Sequence, residues 1–229
     1  MTDITSFIET ARSYLRPVLD RSGAVLYSAC HTLRPGPVYL LGLNPGGDPV
    51  QITSTIAGSL KGLPDKTENS YTDENWGLRD GKEVKSPLQT RLQLLAKSLN
   101  LSLQDICASN LIFMRSRSAA GIDFRADAET CWPVHEQILD IVQPSLVITF
   151  GNSERSPYAF LRDKLPHRAG EETCDSGHGT WKCRGFEGEW RGKRLYVAGL
   201  PHLSRYSPLR DAENVREEVL NWLLPHVAG

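Results

Sequence analysis

The chain has 229 residues, of which 40% are hydrophobic and 23% charged, and its formal net charge is −1. That size suits one sizeable α/β domain over residues 1–229 and is short for two. Near-neutrality excludes a protein that coats nucleic acid non-specifically, and no apolar run is long enough for a membrane span.

The five cysteines, Cys30, Cys107, Cys131, Cys174 and Cys183, are odd in number and lack C-x-x-C spacing. They imply neither a disulfide framework nor a zinc site, and a reducing, cytoplasmic compartment is expected. Only Cys174, His178 and Cys183 form a partial metal set, and it has no fourth ligand.

Apolar residues at helical spacing, among them Ile4, Phe7, Ile8, Ala11, Leu15 and Val18, predict an opening helix. The run V-Y-L-L-G at 38–42 predicts a buried parallel strand that stops at Asn44, Pro45, Gly46 and Gly47. Residues 51–85 are polar and rich in Gly, Ser, Thr and Asp, with Tyr71 and Trp76 among them. Such a long excursion is functional or disordered, and disorder is expected first over 58–85.

Helical patterns follow at 87–99, 126–142, 157–165 and 209–224, alternating with apolar strands at 106–113, 145–151 and 194–200. The stretch at 181–194 is basic, through Lys182, Arg184, Arg191, Lys193 and Arg194, and reads as a nucleic-acid contact or as the solvated face of a hairpin. Strands separated by helices predict a three-layer α/β/α domain with a four-stranded, mainly parallel sheet.

Parallel strands align their carboxyl ends at one edge, where ligands bind in open sheets. Asn44 after the first strand, Asn110 in the second and His202 after the fourth are therefore expected to converge there. Taken singly, Asn110 and His202 also fit the role of satisfied structural polar residues. No G-x-S-x-G elbow, H-E-x-x-H helix or phosphate-binding P-loop is present, so serine hydrolase, zinc peptidase and NTPase chemistry have no support.

The loops G-L-N-P-G at 42–46 and P-H-L-S at 201–204 resemble the two signature loops of the uracil-DNA glycosylase superfamily. The first runs G-Q-D-P-Y-H in the best-known branch and G-M-N-P-G or G-I-N-P-G in the single-strand-selective and mismatch-specific branches, which Asn44 matches. In the second, His202 and Ser204 match H-P-S, while Leu203 replaces its proline. The resemblance implies a DNA glycosylase of base-excision repair that acts on uracil or a related deaminated base, as a monomer and without cofactor or metal.

Asn44 then resembles the water-positioning residue, and His202 the donor to the departing base. The resemblance places Gly42, Leu43 and Asn110 against the base. Tyr71 and Trp76 either stack on the flipped base or anchor their loop. Pro45, Gly46, Ser204, Arg205 and Tyr206 would face the DNA, the last three with hairpin decoration as the competing reading. Because Asn44 is neutral, it orients a water without acting as a strong base. A binding module of the same fold that leaves the base in place, and a hydrolase of small nucleoside-like ligands, are the alternatives.

Overall fold

A computed structural model describes residues 3–51, 54–211 and 213–227. In chain order these form α1 (Ile4–Tyr14), β1 (Val38–Gly42), α2 (Ile56–Gly62), β2 (Gly77–Arg79), β3 (Lys82–Val84), α3 (Pro87–Ser98), β4 (Cys107–Asn110), α4 (Phe124–Val142), β5 (Leu146–Phe150), α5 (Pro157–Lys164), β6 (Glu172–His178), β7 (Trp181–Trp190), β8 (Lys193–Leu200) and α6 (Glu217–Val227). No helix among the described residues is long and apolar enough to cross a membrane.

The central sheet has six strands in the order β4-β1-β5-β8-β7-β6. Its first four are mutually parallel, and β6 and β7 add an antiparallel hairpin along β8. The expected four-stranded sheet is thus too small. Residues 181–190 form β7, which pairs with β8 as the hairpin reading of this stretch has it, and residues 172–178 form β6, a further strand on β7 whose period is hidden by Gly and charged residues.

Alternation along each strand sends side chains to two cores. Tyr39 and Leu41 meet Phe7 and Ala11 of α1, Ile138 of α4 and Phe160 of α5. Val38 and Leu40 meet Leu92 and Leu95 of α3 and Val219 and Leu223 of α6. Helices therefore cover both faces, which explains the unbroken apolar runs of β1 and β5.

The segment expected to be disordered holds α2 and the small β2–β3 pair, and side-chain amides fasten its remainder. Gln89, on α3, is fully buried; its Nε2 donates to the carbonyls of Ser70 and Glu74, and its Oε1 accepts from the amides of Trp76 and Ser86. Asn69 donates to the Leu103 carbonyl and accepts from the Tyr71 amide. Polar composition here reflects a buried hydrogen-bond network, which satisfies backbone groups that no sheet pairs.

One buried polar pair joins the layers beneath the sheet. His135 of α4 accepts from the Tyr39 hydroxyl at Nδ1 (2.9 Å) and donates from Nε2 to the Leu111 carbonyl (3.0 Å). Burial pushes its pKa down from 6.5 to about 4. The unfolded chain binds this proton near 6.5 and the folded chain only near 4, so the stabilisation is full above 6.5 and declines as pH falls through that window. Urea unfolding at pH 7 and pH 5 should show a His135 contribution of about 2 kcal/mol lost at the lower pH, and His135→Gln should remove that part of the slope.

Candidate active site

The first loop leaves β1 and is bound to the loop after β4. Asn44 Nδ2 donates to Ser116 Oγ (2.8 Å), to the Pro45 carbonyl (2.9 Å) and, more weakly, to the Met114 carbonyl (3.4 Å). All three bonds use the nitrogen, so the planar amide turns Oδ1 away from residues 114–116 and leaves it as the acceptor. The Ser116 amide donates to the Pro45 carbonyl, Arg115 to the Gly46 carbonyl, and Arg117 pairs with Asp48. The basic pair Arg115 and Arg117 thereby serves as staples of this loop. Of the two glycines, only Gly47 has a positive φ, at 104°.

The floor lies one residue pair lower. Gly42 and Asn110 are register partners on adjacent strands, and an ideal Cβ at Gly42 would fall 2.1 Å from Asn110 Oδ1 and 3.5 Å from Phe150. The missing side chain is what allows the Asn110 amide to lie over β1. Asn110 is only 6% exposed, yet its side chain makes no hydrogen bond among the described residues. Neither of its polar atoms is sealed from solvent, so the small accessible part of the residue includes its amide tip. Buried amides are nearly always paired, so this partly accessible one, whose hydrogen bonds the protein leaves unmade, is the polar group of the floor open to solvent or to a ligand.

Aromatic rings wall this floor. Tyr71 packs edge-on against Phe150, with centroids 6.1 Å apart, and against Trp76 at 5.3 Å, with Tyr27 5.8 Å from Tyr71. Tyr71 is 2% exposed and belongs to the core beneath, whereas Trp76 is 40% exposed and its indole donates to Glu74. Burial pushes the Tyr27 hydroxyl up to about 12, so it stays protonated at neutral pH.

The second loop follows β8. His202 Nδ1 receives the Ser204 amide (3.2 Å) and lies 2.8 Å from the Ser204 hydroxyl. An amide can only donate, so Nδ1 is the acceptor and a neutral ring carries its proton on Nε2. Desolvation first, and Arg205 second, hold the His202 pKa below 6.5, which favours that neutral form although the residue keeps solvent-accessible surface. The loop itself is fixed by Arg91 of α3, whose Nη1 donates to the carbonyls of Leu203 (2.7 Å) and Tyr206 (3.2 Å).

Strands β1 and β8 are separated by β5 alone, so Asn44 and His202 leave strands about 10 Å apart at the same edge. That gap suits a flat ring with a sugar attached. Asn44, Asn110 and His202 are thus set around one edge, with Gly42 as the floor and Trp76 at its aromatic wall.

Other expected residues fall elsewhere. Leu43 packs its side chain into the core of the opposite face. Pro45 is buried, while Gly46 is exposed with nothing within 4 Å of an added Cβ. Ser204 is exposed, and its amide and hydroxyl face His202 Nδ1. Tyr206 is fully buried, its hydroxyl 3.8 Å from Cys183 Sγ, and does not reach the surface as a DNA contact would require. Arg205 is exposed, with no carboxylate partner among the described residues.

Phe150, Tyr27, Ser116 and Arg91 were not legible as site residues. Phe150 shows one usable signal, since it ends an apolar strand on the same face as Leu146 and Ile148. Ser116 is hidden in the turn M-R-S-R-S, and Arg91 by the helix around it. Cys174 and Cys183 oppose each other across β6 and β7, while His178 packs on Trp181. Among the described residues no three His, Cys, Asp or Glu side chains are grouped to hold a metal.

No protein-family model matches the chain, and no curated protein is significantly similar to it.

The close approach at the floor makes two glycines of the same motif, Gly42 and Gly46, differ sharply. Gly42→Ala must displace Asn110 and should cost about 1–3 kcal/mol, as overpacking does. Gly46→Ala meets open space and should stay within about 0.5 kcal/mol of the parent in the same denaturation experiment.

Proposed function

We propose that the chain is a monomeric DNA N-glycosylase of the uracil-DNA glycosylase superfamily, built on the four parallel strands, that hydrolyses the bond between deoxyribose and uracil or a related deaminated base. The observation that carries this reading is the unpaired amide of Asn110, held over Gly42 beside Phe150 and bracketed by the Asn44 and His202 loops. An amide presents one acceptor and two donors in a plane, which matches the alternating carbonyl and N–H edge of a uracil ring.

The target base must leave the stack to reach this edge, and Trp76 offers a surface at the mouth for it. As the bond to the sugar lengthens, its electron pair passes to the base and negative charge grows on the base carbonyl. His202, neutral and protonated on Nε2, donates to that oxygen without first having to lose a proton. Pre-organisation of the ring by Ser204 removes the cost of orienting it during the reaction.

The sugar left behind has oxocarbenium character and takes a water. Asn44 Oδ1 accepts a hydrogen bond from this water and turns its lone pair toward the sugar, while Ser116 holds the amide in place. The water adds to the sugar carbon and its proton ends on the departed base, so the products are an abasic site and the free base. Asn44 never carries the proton. Rate therefore depends on geometry and on stabilising the leaving group.

Single-stranded and duplex oligonucleotides carrying uracil, hypoxanthine or xanthine, incubated without added metal and treated with alkali, should reveal abasic sites for at least one base. Asn44→Ala and His202→Ala should each slow single-turnover release by on the order of a hundredfold or more. Protonation of His202 on Nδ1 would break the bond from the Ser204 amide that orients the ring, so the parent rate should fall at a pH below 6.5, the direction in which burial moves this pKa, and His202→Gln should lack that limb. Intact glycosidic bonds on every substrate, with binding retained, would replace catalysis by recognition alone.

A further inference from the structure

We infer that the tip of the β6–β7 hairpin is a second nucleic-acid contact, at which Trp181 stacks on an unpaired base of the DNA strand whose target base occupies the pocket. This rests on the function proposed above for the neighbouring site.

The topology brings the tip to the right edge. β8 ends at the His202 loop, and β7 runs antiparallel to it with Arg184 opposite Gly199, so Trp181 and Lys182 reach past the end of β8. β6 finishes at His178 on the same side. Asn152, just beyond Phe150, donates from Nδ2 to the carbonyls of Lys182 (2.7 Å) and Gly199 (2.9 Å), which locks the tip to the strand that forms the pocket floor.

The tip is built as a rigid platform. The Ser176 hydroxyl donates to the Trp181 carbonyl and accepts from the His178 amide, and Gly177 and Gly179 take positive φ values of 68° and 58°. Trp181 remains 41% exposed, with its ring backed by His178 at 4.7 Å, and His178 in turn lies 6.3 Å from Tyr206 in the His202 loop. A supported indole held at a fixed angle loses little entropy when a base stacks on it. Trp76 and Trp181 are the two exposed indoles of the described surface, the first packed on Tyr71 and the second beside the His202 loop.

Charge at this edge fits a phosphate backbone. Most arginines of the chain pair with carboxylates, as Arg34 does with Asp105 and Arg168 with Glu189. Arg205 and Arg216 form no salt bridge among the described residues. The Arg216 guanidinium lies flat on Gly177, where an added Cβ would fall 2.3 Å from Cζ, and its Nε is buried without a partner. These two guanidiniums, one beside His202 and one behind the tip, where Asp175 paired with Lys182 also faces it, supply the positive charge for a strand at this edge.

A single-stranded thymidine 12-mer without any cleavable base tests the inference by fluorescence anisotropy, independent of catalysis. Trp181→Ala should weaken binding roughly tenfold or more, Trp181→Phe should stay within about threefold of the parent, and Arg216→Gln should flatten the salt dependence by about 0.7 in log–log slope. Unchanged affinity in Trp181→Ala, or equal losses in the Ala and Phe variants, would overturn it, as would a parent protein that does not bind the 12-mer. Binding that depends on Trp181 in a protein releasing no base would retain this contact and refute the glycosylase reading; base release by a protein insensitive to Trp181→Ala would do the reverse.

Discussion

The absence of a side chain at position 42 is the constraint on which the site depends. At the carboxyl end of β1 an ordinary residue would place its Cβ where Asn110 Oδ1 now lies, and the amide would have to leave the floor. With glycine there, a planar polar group from the neighbouring strand can rest against bare backbone and still meet Phe150. The cost is an amide without a protein partner in a place that is otherwise core. The amide tip is left to solvent instead, and on the proposed function a ligand that supplies the matching groups would take the bonds the fold leaves unmade.

Everything around that floor serves to hold it still. Ser116 and the Pro45 carbonyl take the nitrogen of Asn44 and so decide which of its atoms is available. Ser204 sets the tautomer of His202, and Arg91 ties the same loop to α3 through two carbonyls. Gln89, two residues earlier on α3, performs the equivalent task for the segment that carries Tyr71 and Trp76. A single helix thus positions both the aromatic wall and the histidine loop. On the proposed function, the same hydrogen bonds would let a neutral asparagine and a neutral histidine suffice as polar groups, because they fix both side chains in the free protein.

Much of this was legible from residue patterns because buried parallel strands write themselves plainly. The runs around 38–42 and 145–151 lie within a residue of β1 and β5, and the strand ends correctly place Asn44, Asn110 and His202 at one edge. Less legible were elements whose period is masked by composition. At 181–194 the hairpin is one of two readings, whereas β6 before it is disguised by charge and glycine, and the segment before α3 looks disordered because its order comes from Asn69 and Gln89, whose long-range bonds have no local signature. Tyr206 was misplaced for a different reason. Its neighbours His202, Ser204 and Arg205 are exposed, and nothing in the run shows that the chain turns there and buries the ring against Cys183.

The central claim concerns the Asn110 amide, and its side-chain resonances report on it directly. In a 15N-labelled sample titrated with free uracil, the Asn110 Nδ2 protons should shift in proportion to occupancy, and uracil affinity should fall in Asn110→Ala while Trp181→Ala retains both the affinity and the shift. Uracil binding that leaves the Asn110 amide unmoved, or no binding to a protein that nonetheless releases uracil from DNA, would contradict the assignment of Asn110 as the group that reads the base.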